Sequence, residues 1–197
     1  RHDAFLLIDE AHATGVHGEQ GRGLAAAYEG RETIVTVHTC GKALGAAGAL
    51  VTASRVLRDT LINRCRSFIF ATAPSPLMAV AVTEALAILQ DEPERQQKLA
   101  QLVVFAHREI VERFAETWSS SQIIPYIVGD NAHAMQLAAA LQARGFDVRG
   151  IRPPTVPAGT ARLRLSLTLN VDEAAIVALL DALVDEIGAA RSWRSAS

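Results

Sequence analysis

The feature that most constrains the fold is an apolar segment that runs directly into a loop carrying an acid and a histidine. Residues 4–8 (AFLLI) form a continuous apolar run, which is typical of a strand buried on both faces of a parallel sheet. Asp9 and His12 follow at once, in the sequence DEAHATG. Because open α/β sheets bind ligands beyond the carboxyl ends of their strands, both side chains are predicted at a ligand-binding edge.

A second β-rich segment brings further reactive groups to the same edge. Residues 33–39 (TIVTVHT) predict a strand that ends at Thr39 and is followed by Lys42. An acid, a histidine, a hydroxyl and a lysine at one edge are the groups that a pyridoxal phosphate (PLP) site requires. The lysine forms the Schiff base, and a buried carboxylate keeps the pyridine nitrogen protonated, so that the ring acts as an electron sink. Asp9 is the candidate for that carboxylate.

The scarcity of lysine narrows the choice of the reactive amine. Of the 19 basic residues, only Lys42 and Lys98 are lysines. Arginine cannot form an imine at neutral pH because its guanidinium stays protonated. Lys98 lies in EPERQQKLAQL, on the predicted polar face of an amphipathic helix. If the chain holds a catalytic lysine, it is Lys42.

The tetrapeptide DEAH also marks the magnesium-binding strand of a helicase class, so this alternative needs a test. A helicase requires a phosphate loop of the form G-x-x-x-x-G-K-[ST], whereas Gly41 and Lys42 are followed by Ala43. The net charge of -2 and the pI near 6.3 also lack the basic surface of a nucleic-acid motor. We therefore expect no nucleic-acid partner.

Composition indicates a globular, helix-rich protein. Half of the 197 residues are hydrophobic, and only two are cysteines, which favours a reducing compartment such as the cytoplasm over a disulfide scaffold.

The sequence has no apolar run long enough for a membrane helix and no recognisable signal peptide, so no membrane association is expected. No His or Cys spacing indicates a metal site. The chain begins almost directly in a strand, and we expect it to be the carboxyl-terminal part of a longer protein.

The pattern of elements predicts two domains, residues 1–90 and 91–197. In the first, strands are expected at 4–8, 33–39, 48–52 and 67–71, with helices over 55–64 (capped by Ser54) and 76–89. This order fits part of an α/β domain with a parallel sheet. The second opens with a long helix, followed by β-α-β-β-α at 123–129, 131–145, 146–151, 161–167 and from 173 to about 188. This order suggests a small α+β domain.

The proline-rich loop and strand at 151–167 (IRPPTVPAGTARLRLSL) form the second informative segment. Prolines restrict where Thr155 can point. Arg162 and Arg164 alternate with leucines, so both project from one face of the strand. They are either a solvated strand face or a guanidinium fork that grips a substrate carboxylate.

Together these motifs resemble the α-oxoamine synthases, which are fold-type I PLP enzymes. The resemblance rests on residues 9–23 (DEAHATGVHGEQGRG), 38–54 (HTCGKALGAAGALVTAS), 68–76 (FIFATAPSP) and 151–167. It implies an α/β fold-type I PLP-dependent transferase, of which this chain is the carboxyl-terminal half of the large parallel-sheet domain plus a small α+β domain. The family's amino-terminal half, with its glycine-rich phosphate loop and ring-stacking histidine, is absent from the sequence.

The resemblance also implies roles for individual residues. Lys42 would be the Schiff-base lysine, and Asp9 would pair with the pyridinium nitrogen. His12 would contact the 3′-hydroxyl of the cofactor, and Thr39 its phosphate. In a homodimer, Thr72 would reach the phosphate of the neighbouring subunit's cofactor. Thr155 and Arg164 would lie beside the substrate, and Arg164 would hold its carboxylate. Ala71 stands where relatives often carry a serine.

Three functional readings stay open at the level of sequence. The segment 151–167 is most similar to the biotin-pathway member, which condenses L-alanine with a pimeloyl thioester carried by CoA or acyl carrier protein. The second reading is a sibling, such as 5-aminolevulinate synthase or 2-amino-3-ketobutyrate CoA ligase. The third is a non-catalytic interaction module that keeps the fold without holding PLP.

Overall fold

The computed structural model describes residues 4–116 and 118–195, with side chains as far as residue 188. The chain divides into two compact units, residues 1–96 and 97–197, which we call unit 1 and unit 2. The division falls inside helix α4 (Pro93–Phe114). In the part of the chain so described, no helix is long and apolar enough to cross a membrane.

Unit 1 contains a three-stranded sheet in the order β1-β2-β3. The strands are β1 (Leu6–Asp9), β2 (Ile34–Thr39) and β3 (Ala49–Thr52). β1 and β2 run parallel, with Asp9 opposite Val37, and β3 is antiparallel to β2. The predicted strands at 4–8, 33–39 and 48–52 are confirmed to within about two residues at each end.

Three helices follow this sheet: α1 (Arg55–Arg64), α2 (Arg66–Ile69) and α3 (Pro76–Asp91). The predicted cap of α1 is confirmed, because the Ser54 hydroxyl accepts a hydrogen bond from the amide of Leu57. The strand predicted at 67–71 is wrong. Its backbone pairs locally instead, since the amides of Phe68 and Ile69 both donate to the carbonyl of Cys65 and begin the short helix α2.

A second correction concerns β1, which the apolar pattern predicted to be buried on both faces. Phe5, Leu6 and Leu7 expose 70 %, 54 % and 68 % of their surface. β1 is an edge strand that pairs only with β2 among the described residues, and its side chains lack a packing layer there. The apolar run correctly predicted a strand, but no layer of the described residues packs on its side chains.

Unit 2 is an antiparallel sheet with helices packed on it. The strands β4 (Ile123–Gly129), β5 (Arg149–Ile151) and β6 (Ala161–Ser166) lie in the order β4-β6-β5. Helix α5 (Asn131–Ala143) connects β4 to β5, and α6 (Glu173–Ser195) follows β6, which gives the predicted β-α-β-β-α order.

Helix α5 is capped by Asp130, whose carboxylate accepts a hydrogen bond from the amide of His133 at 2.8 Å. α6 continues past Gly188, the predicted end, to Ser195. A single glycine near a helix end costs only about 1 kcal/mol and does not stop the helix.

The core of unit 2 is the larger of the two in the described residues. It contains Ile110 from α4, Leu141 from α5, Leu163 from β6 and Leu180 from α6, each no more than 1 % exposed. The helical spacing of apolar residues in α4 correctly predicted its buried face. This core makes the inner face of the sheet apolar.

Candidate active site

The parallel pairing of β1 and β2 carries two loops to the same edge of the sheet in unit 1. The loop after β1 contains His12, and the loop after β2 contains Lys42. Their side chains meet, with the Lys42 Nζ atom 3.0 Å from the His12 Nε2 atom, although 30 residues separate them. Both side chains are exposed, so the amine is accessible. The predicted convergence of a lysine and a histidine at this edge is present in the structure.

The loop after β1 is fixed to β2 by buried hydrogen bonds. The amide of Glu10 donates to the carbonyl of Val37 at 2.9 Å. The Thr14 hydroxyl donates to the carbonyl of Glu10 and lies 2.9 Å from His38 Nδ1. Because Thr14 and His38 are both buried, this link holds the loop at one distance from the strand that leads to Lys42.

Glu10 supports the loop that carries His12. Its side chain is only 3 % exposed, and its carboxylate accepts the amide of Ala25 at 2.5 Å. A Cβ atom at Gly23, where φ is +95°, would lie 2.9 Å from the carboxylate carbon. Only glycine suits this backbone conformation and leaves room for the acid. The glycine-rich pattern after DEAH was the signal that could have found this contact.

The loop that carries Lys42 is anchored on both sides of the lysine. Cys40 and Leu44 are buried in a small cluster with Val82 of α3. Cys40 also donates its amide to Gly48 and accepts from Ala46, both at 2.9 Å, which closes the loop into a turn. Lys42 therefore projects into solvent from a backbone that packing and hydrogen bonds hold in place.

Asp9 lies at the same edge but is exposed, which corrects the expectation of a buried carboxylate. Its Oδ1 atom accepts the amide of Ala11 at 2.9 Å, which turns the chain out of β1. The physical reason is the edge position of β1, which leaves Asp9 without a covering layer among the described residues. The carboxylate keeps acceptor capacity beyond this single bond.

The two predicted threonines of unit 1 differ in their surroundings. The Thr39 hydroxyl is buried and has no hydrogen-bond partner in the described chain, which is unfavourable unless another group supplies one. Thr72 lies exposed in the segment between α2 and α3 and makes no hydrogen bond there. The structure therefore does not connect Thr72 by hydrogen bonding to the pair formed by Lys42 and His12.

In unit 2 the structure separates the roles of the two arginines on β6. Arg162 is held by Thr160, since its guanidinium donates to the carbonyl and to the hydroxyl of that residue, both at 3.0 Å. Arg164 is exposed and has no hydrogen bond or ion pair among the described residues. Thr155 is also exposed, in the turn between β5 and β6. Arg164 is thus the arginine whose donors are available to a ligand.

The alternative lysine lies in unit 2. Lys98 is exposed on α4 and borders a cleft of about 450 Å³ lined partly by Asp172 and Glu173. No histidine, threonine or buried acid lines this cleft. Among the residues that the structure describes, no group of three or more His, Cys, Asp or Glu side chains could hold a metal ion.

The fold agrees with comparisons to known proteins. The family model of the class I and II aminotransferases matches residues 1–183. The chain therefore belongs to this family, which confirms the fold-type I assignment.

Individual relatives extend this result. The chain is 41 % identical over 191 residues to 8-amino-7-oxononanoate synthase from Cupriavidus taiwanensis, an alignment that covers 93 % of this chain and 47 % of that protein. The crystal structure of 8-amino-7-oxononanoate synthase from Francisella tularensis superposes with a TM-score of 0.80 at 26 % identity, over 94 % of this chain and 55 % of that one. A structure of SPT with a PLP internal aldimine gives 0.83 at 26 %, over 95 % and 48 %. The chain thus spans about half the length of the proteins it matches, and the resemblance to α-oxoamine synthases is confirmed.

Proposed function

We propose that this chain forms part of a PLP-dependent acyltransferase that condenses L-alanine with a pimeloyl thioester. The products are 8-amino-7-oxononanoate, CO2 and the free thiol, in a cytoplasmic step of biotin biosynthesis. The observation that carries the proposal is the 3.0 Å contact between Lys42 and His12 at a sheet edge that also holds Asp9. The relatives named 8-amino-7-oxononanoate synthase support this choice of reaction.

The residues at the edge fit PLP by their chemistry. Lys42 offers an accessible amine for covalent attachment, and Asp9 offers a carboxylate for the protonated pyridine nitrogen. His12, which already contacts Lys42, would donate to the ring hydroxyl. The buried Thr39 hydroxyl, which has no partner in the described chain, suits a phosphate oxygen. Four different functional groups of the cofactor thus have candidate partners.

The proposed mechanism gives each side chain one task. When bound, PLP supplies an electron sink that stabilises negative charge at the α-carbon of the amino acid. Lys42, whose amine is accessible, would remove the proton from that carbon. His12, 3.0 Å from the Lys42 Nζ atom, would orient the amine for the proton transfer. Asp9 holds the proton on the pyridine nitrogen throughout.

The condensation then joins the two substrates and releases the thiol and CO2. A carbon–carbon bond forms between the α-carbon of alanine and the thioester carbonyl, and the thiolate leaves. The original carboxylate departs as CO2, and Lys42 returns a proton to the α-carbon. Arg164, whose donors are free of partners in the described chain, holds the carboxylate until it leaves. Thr155, in the turn before β6, lies beside the substrate in this proposal.

The proposal includes a homodimer. Thr72, exposed and without hydrogen bonds in the described chain, would contact the phosphate of the cofactor bound to the partner subunit. Residues 1–90 would belong to the large PLP-binding α/β domain and residues 91–197 to the small carboxyl-terminal domain. The remaining half of the site would come from chain that corresponds to the unmatched half of the relatives.

The test is product analysis with the native protein loaded with PLP. We expect 8-amino-7-oxononanoate from L-alanine and pimeloyl-CoA or pimeloyl-acyl carrier protein, with turnover on glycine or serine much lower. Preferential turnover of glycine with succinyl-CoA or acetyl-CoA would identify a sibling α-oxoamine synthase instead. Failure to bind PLP at all, judged by the visible absorbance of the cofactor, would favour the non-catalytic module.

A further inference from the structure

We propose that Arg149 is a second carboxylate-recognising residue, which acts together with Arg164 as a pair of guanidinium groups on the outer face of the sheet in unit 2. The ligand is the carboxylate of the free amino-acid substrate, so the proposal rests on the proposed function and adds a specificity-determining residue to it. The observation behind it is a direct cross-strand pairing of two arginines.

The strand register places the two arginines opposite each other. β5 and β6 are antiparallel, and Arg149 pairs with Arg164. On β6 the flanking Leu163 and Leu165 are 0 % and 3 % exposed, so Arg164 points to the opposite, outer face. On β5 a Cβ atom at Gly150 would lie 2.8 Å from the Met135 sulfur of α5, so that position faces the helix layer. Alternation then puts Arg149 on the outer face as well.

The partners of the two side chains leave them available for an anion. Arg164 has no hydrogen bond or ion pair in the described part of the chain. Arg149 lies 3.0 Å from Asp147, but these side chains are 62 % and 78 % exposed, so their ion pair is weak and exchangeable. Arg162, two residues from Arg164, is held by Thr160 and does not compete.

The electrostatics of the pair favour a bound carboxylate. Like charges directly opposite on neighbouring strands repel each other and destabilise the sheet. An anion placed between the two guanidinium groups replaces this repulsion by two attractions, and the planar donors of arginine match the two oxygens of a carboxylate. Asp147 is the built-in competitor, because it occupies Arg149 when no ligand is present.

The experiment compares three variants of the native, PLP-loaded protein. For Arg149→Ala we expect the KM and the calorimetric Kd for L-alanine to rise about three- to fivefold, the size of one partly exposed charge interaction, while kcat changes by less than about twofold. For Asp147→Asn, which frees Arg149, we expect the opposite sign, with tighter binding of L-alanine. The matched control is Arg108→Ala, because Arg108 is an exposed arginine that also sits beside a carboxylate, 3.4 Å from Glu109.

Each outcome decides the proposal. Unchanged L-alanine affinity in Arg149→Ala, or an equal loss in Arg108→Ala, would overturn it. Arg149→Lys keeps the positive charge but loses the planar donors, so it should bind L-alanine more tightly than Arg149→Ala and less tightly than the unmodified protein. If the unmodified protein binds none of L-alanine, glycine or L-serine, the proposed function itself fails. If it binds one of them and Arg149→Ala binds it equally well, only the role of Arg149 is wrong.

Discussion

At the scale of single residues, the two lysines of this chain show how surroundings decide chemistry. Lys42 and Lys98 are both exposed, yet only Lys42 meets a histidine and projects from a turn fixed by buried neighbours. Lys98 borders a cleft lined partly by acidic side chains. Lys42 is accessible and contacts a histidine, so it is the better candidate for the reactive amine.

We therefore expect Lys42→Ala to abolish covalent attachment of PLP, whereas Lys98→Ala leaves it intact. The reason is that arginine, which makes up the rest of the basic residues, cannot form the bond. The measurement is borohydride reduction of the native protein, followed by mass spectrometry of the labelled peptide. A stable PLP adduct in the Lys42 variant would contradict the assignment.

Asp9→Asn should leave PLP bound but make it ineffective. The amide keeps the size of the carboxylate but cannot hold a proton on the pyridine nitrogen, so α-proton exchange of L-alanine should slow by several orders of magnitude. Exchange into deuterated water, followed by nuclear magnetic resonance, measures this step without the thioester. Glu10→Gln is a poor control because Glu10 supports the loop, so the control is Glu19→Gln, an exposed acid on the same loop. Near-normal exchange in the Asp9 variant would remove Asp9 from the mechanism.

Arg164→Lys should weaken amino-acid binding far more than Arg162→Lys. The Arg164 side chain has no hydrogen-bond partner among the described residues, whereas the Arg162 guanidinium donates to Thr160. Losing one charge-assisted hydrogen bond costs about 1.5–3 kcal/mol, which raises the KM for alanine by at least about tenfold. Steady-state kinetics of both variants provide the comparison. The reverse order of effects would show that the wrong arginine had been chosen.

At the scale of elements, unit 2 is held together by packing and by a clamp between α4 and α6. Arg113 of α4 donates to Glu109 on its own helix and to Asp181 on α6, each at 2.7 Å. The hydrogen bond from Arg113 to Glu109, the largest of the causes, lowers the pKa of Glu109 from its usual 4.5. The two bonds also raise the pKa of Arg113, with the bond to Asp181 as the first cause.

This clamp predicts a pH dependence of stability. Because the pKa of Glu109 is lower in the folded state, its contribution is fully present above pH 4.5, the value for the unfolded chain, and is lost as the pH falls below it through the folded value. We expect Glu109→Gln to lower the denaturation midpoint at neutral pH, and the difference from the unmodified chain to shrink in acid. Urea unfolding of the chain at pH 7 and pH 3 measures this. A difference that grows toward acid would contradict the sign.

The elements also show what sequence patterns can predict. Helix α5 and strand β6 were correct because their apolar periodicity is satisfied by neighbours within the same unit. The predicted burial of β1 was wrong because no layer covers it among the described residues, and the predicted strand at 67–71 was wrong because its backbone begins the short helix α2. At the site, motifs predicted that Lys42 and His12 converge. They could not predict the link between Thr14 and His38, which exists only once β2 is paired.

At the scale of the whole molecule, the two units differ in how complete they are. The buried cluster of unit 2 draws on three helices and its sheet. Around the Lys42 loop, the fully buried hydrophobic residues are few, Cys40, Leu44 and Val82, while Phe5, Phe68 and Phe70 are each more than 60 % exposed. Exposed apolar surface of this kind is stabilised only by a covering partner.

We therefore expect residues 1–197 alone to be catalytically inactive. Amide hydrogen exchange should be fast in the sheet of unit 1 and slow in β4 and β6 of unit 2. The assay is condensation of L-alanine with pimeloyl-CoA, run beside the native protein. Turnover comparable to that of the native protein would show that the described residues already hold a complete site.

The close packing of Glu10 beneath Gly23 limits which mutations position 23 can accept. Any side chain at position 23 must displace the carboxylate that holds the amide of Ala25, and so disturbs the loop that positions His12. A mutation of this glycine would therefore affect Lys42 indirectly, although Gly23 itself contacts no reactant. In a lineage descended from this gene, position 23 is expected to remain glycine, because its φ of +95° and the Glu10 carboxylate both exclude a side chain there.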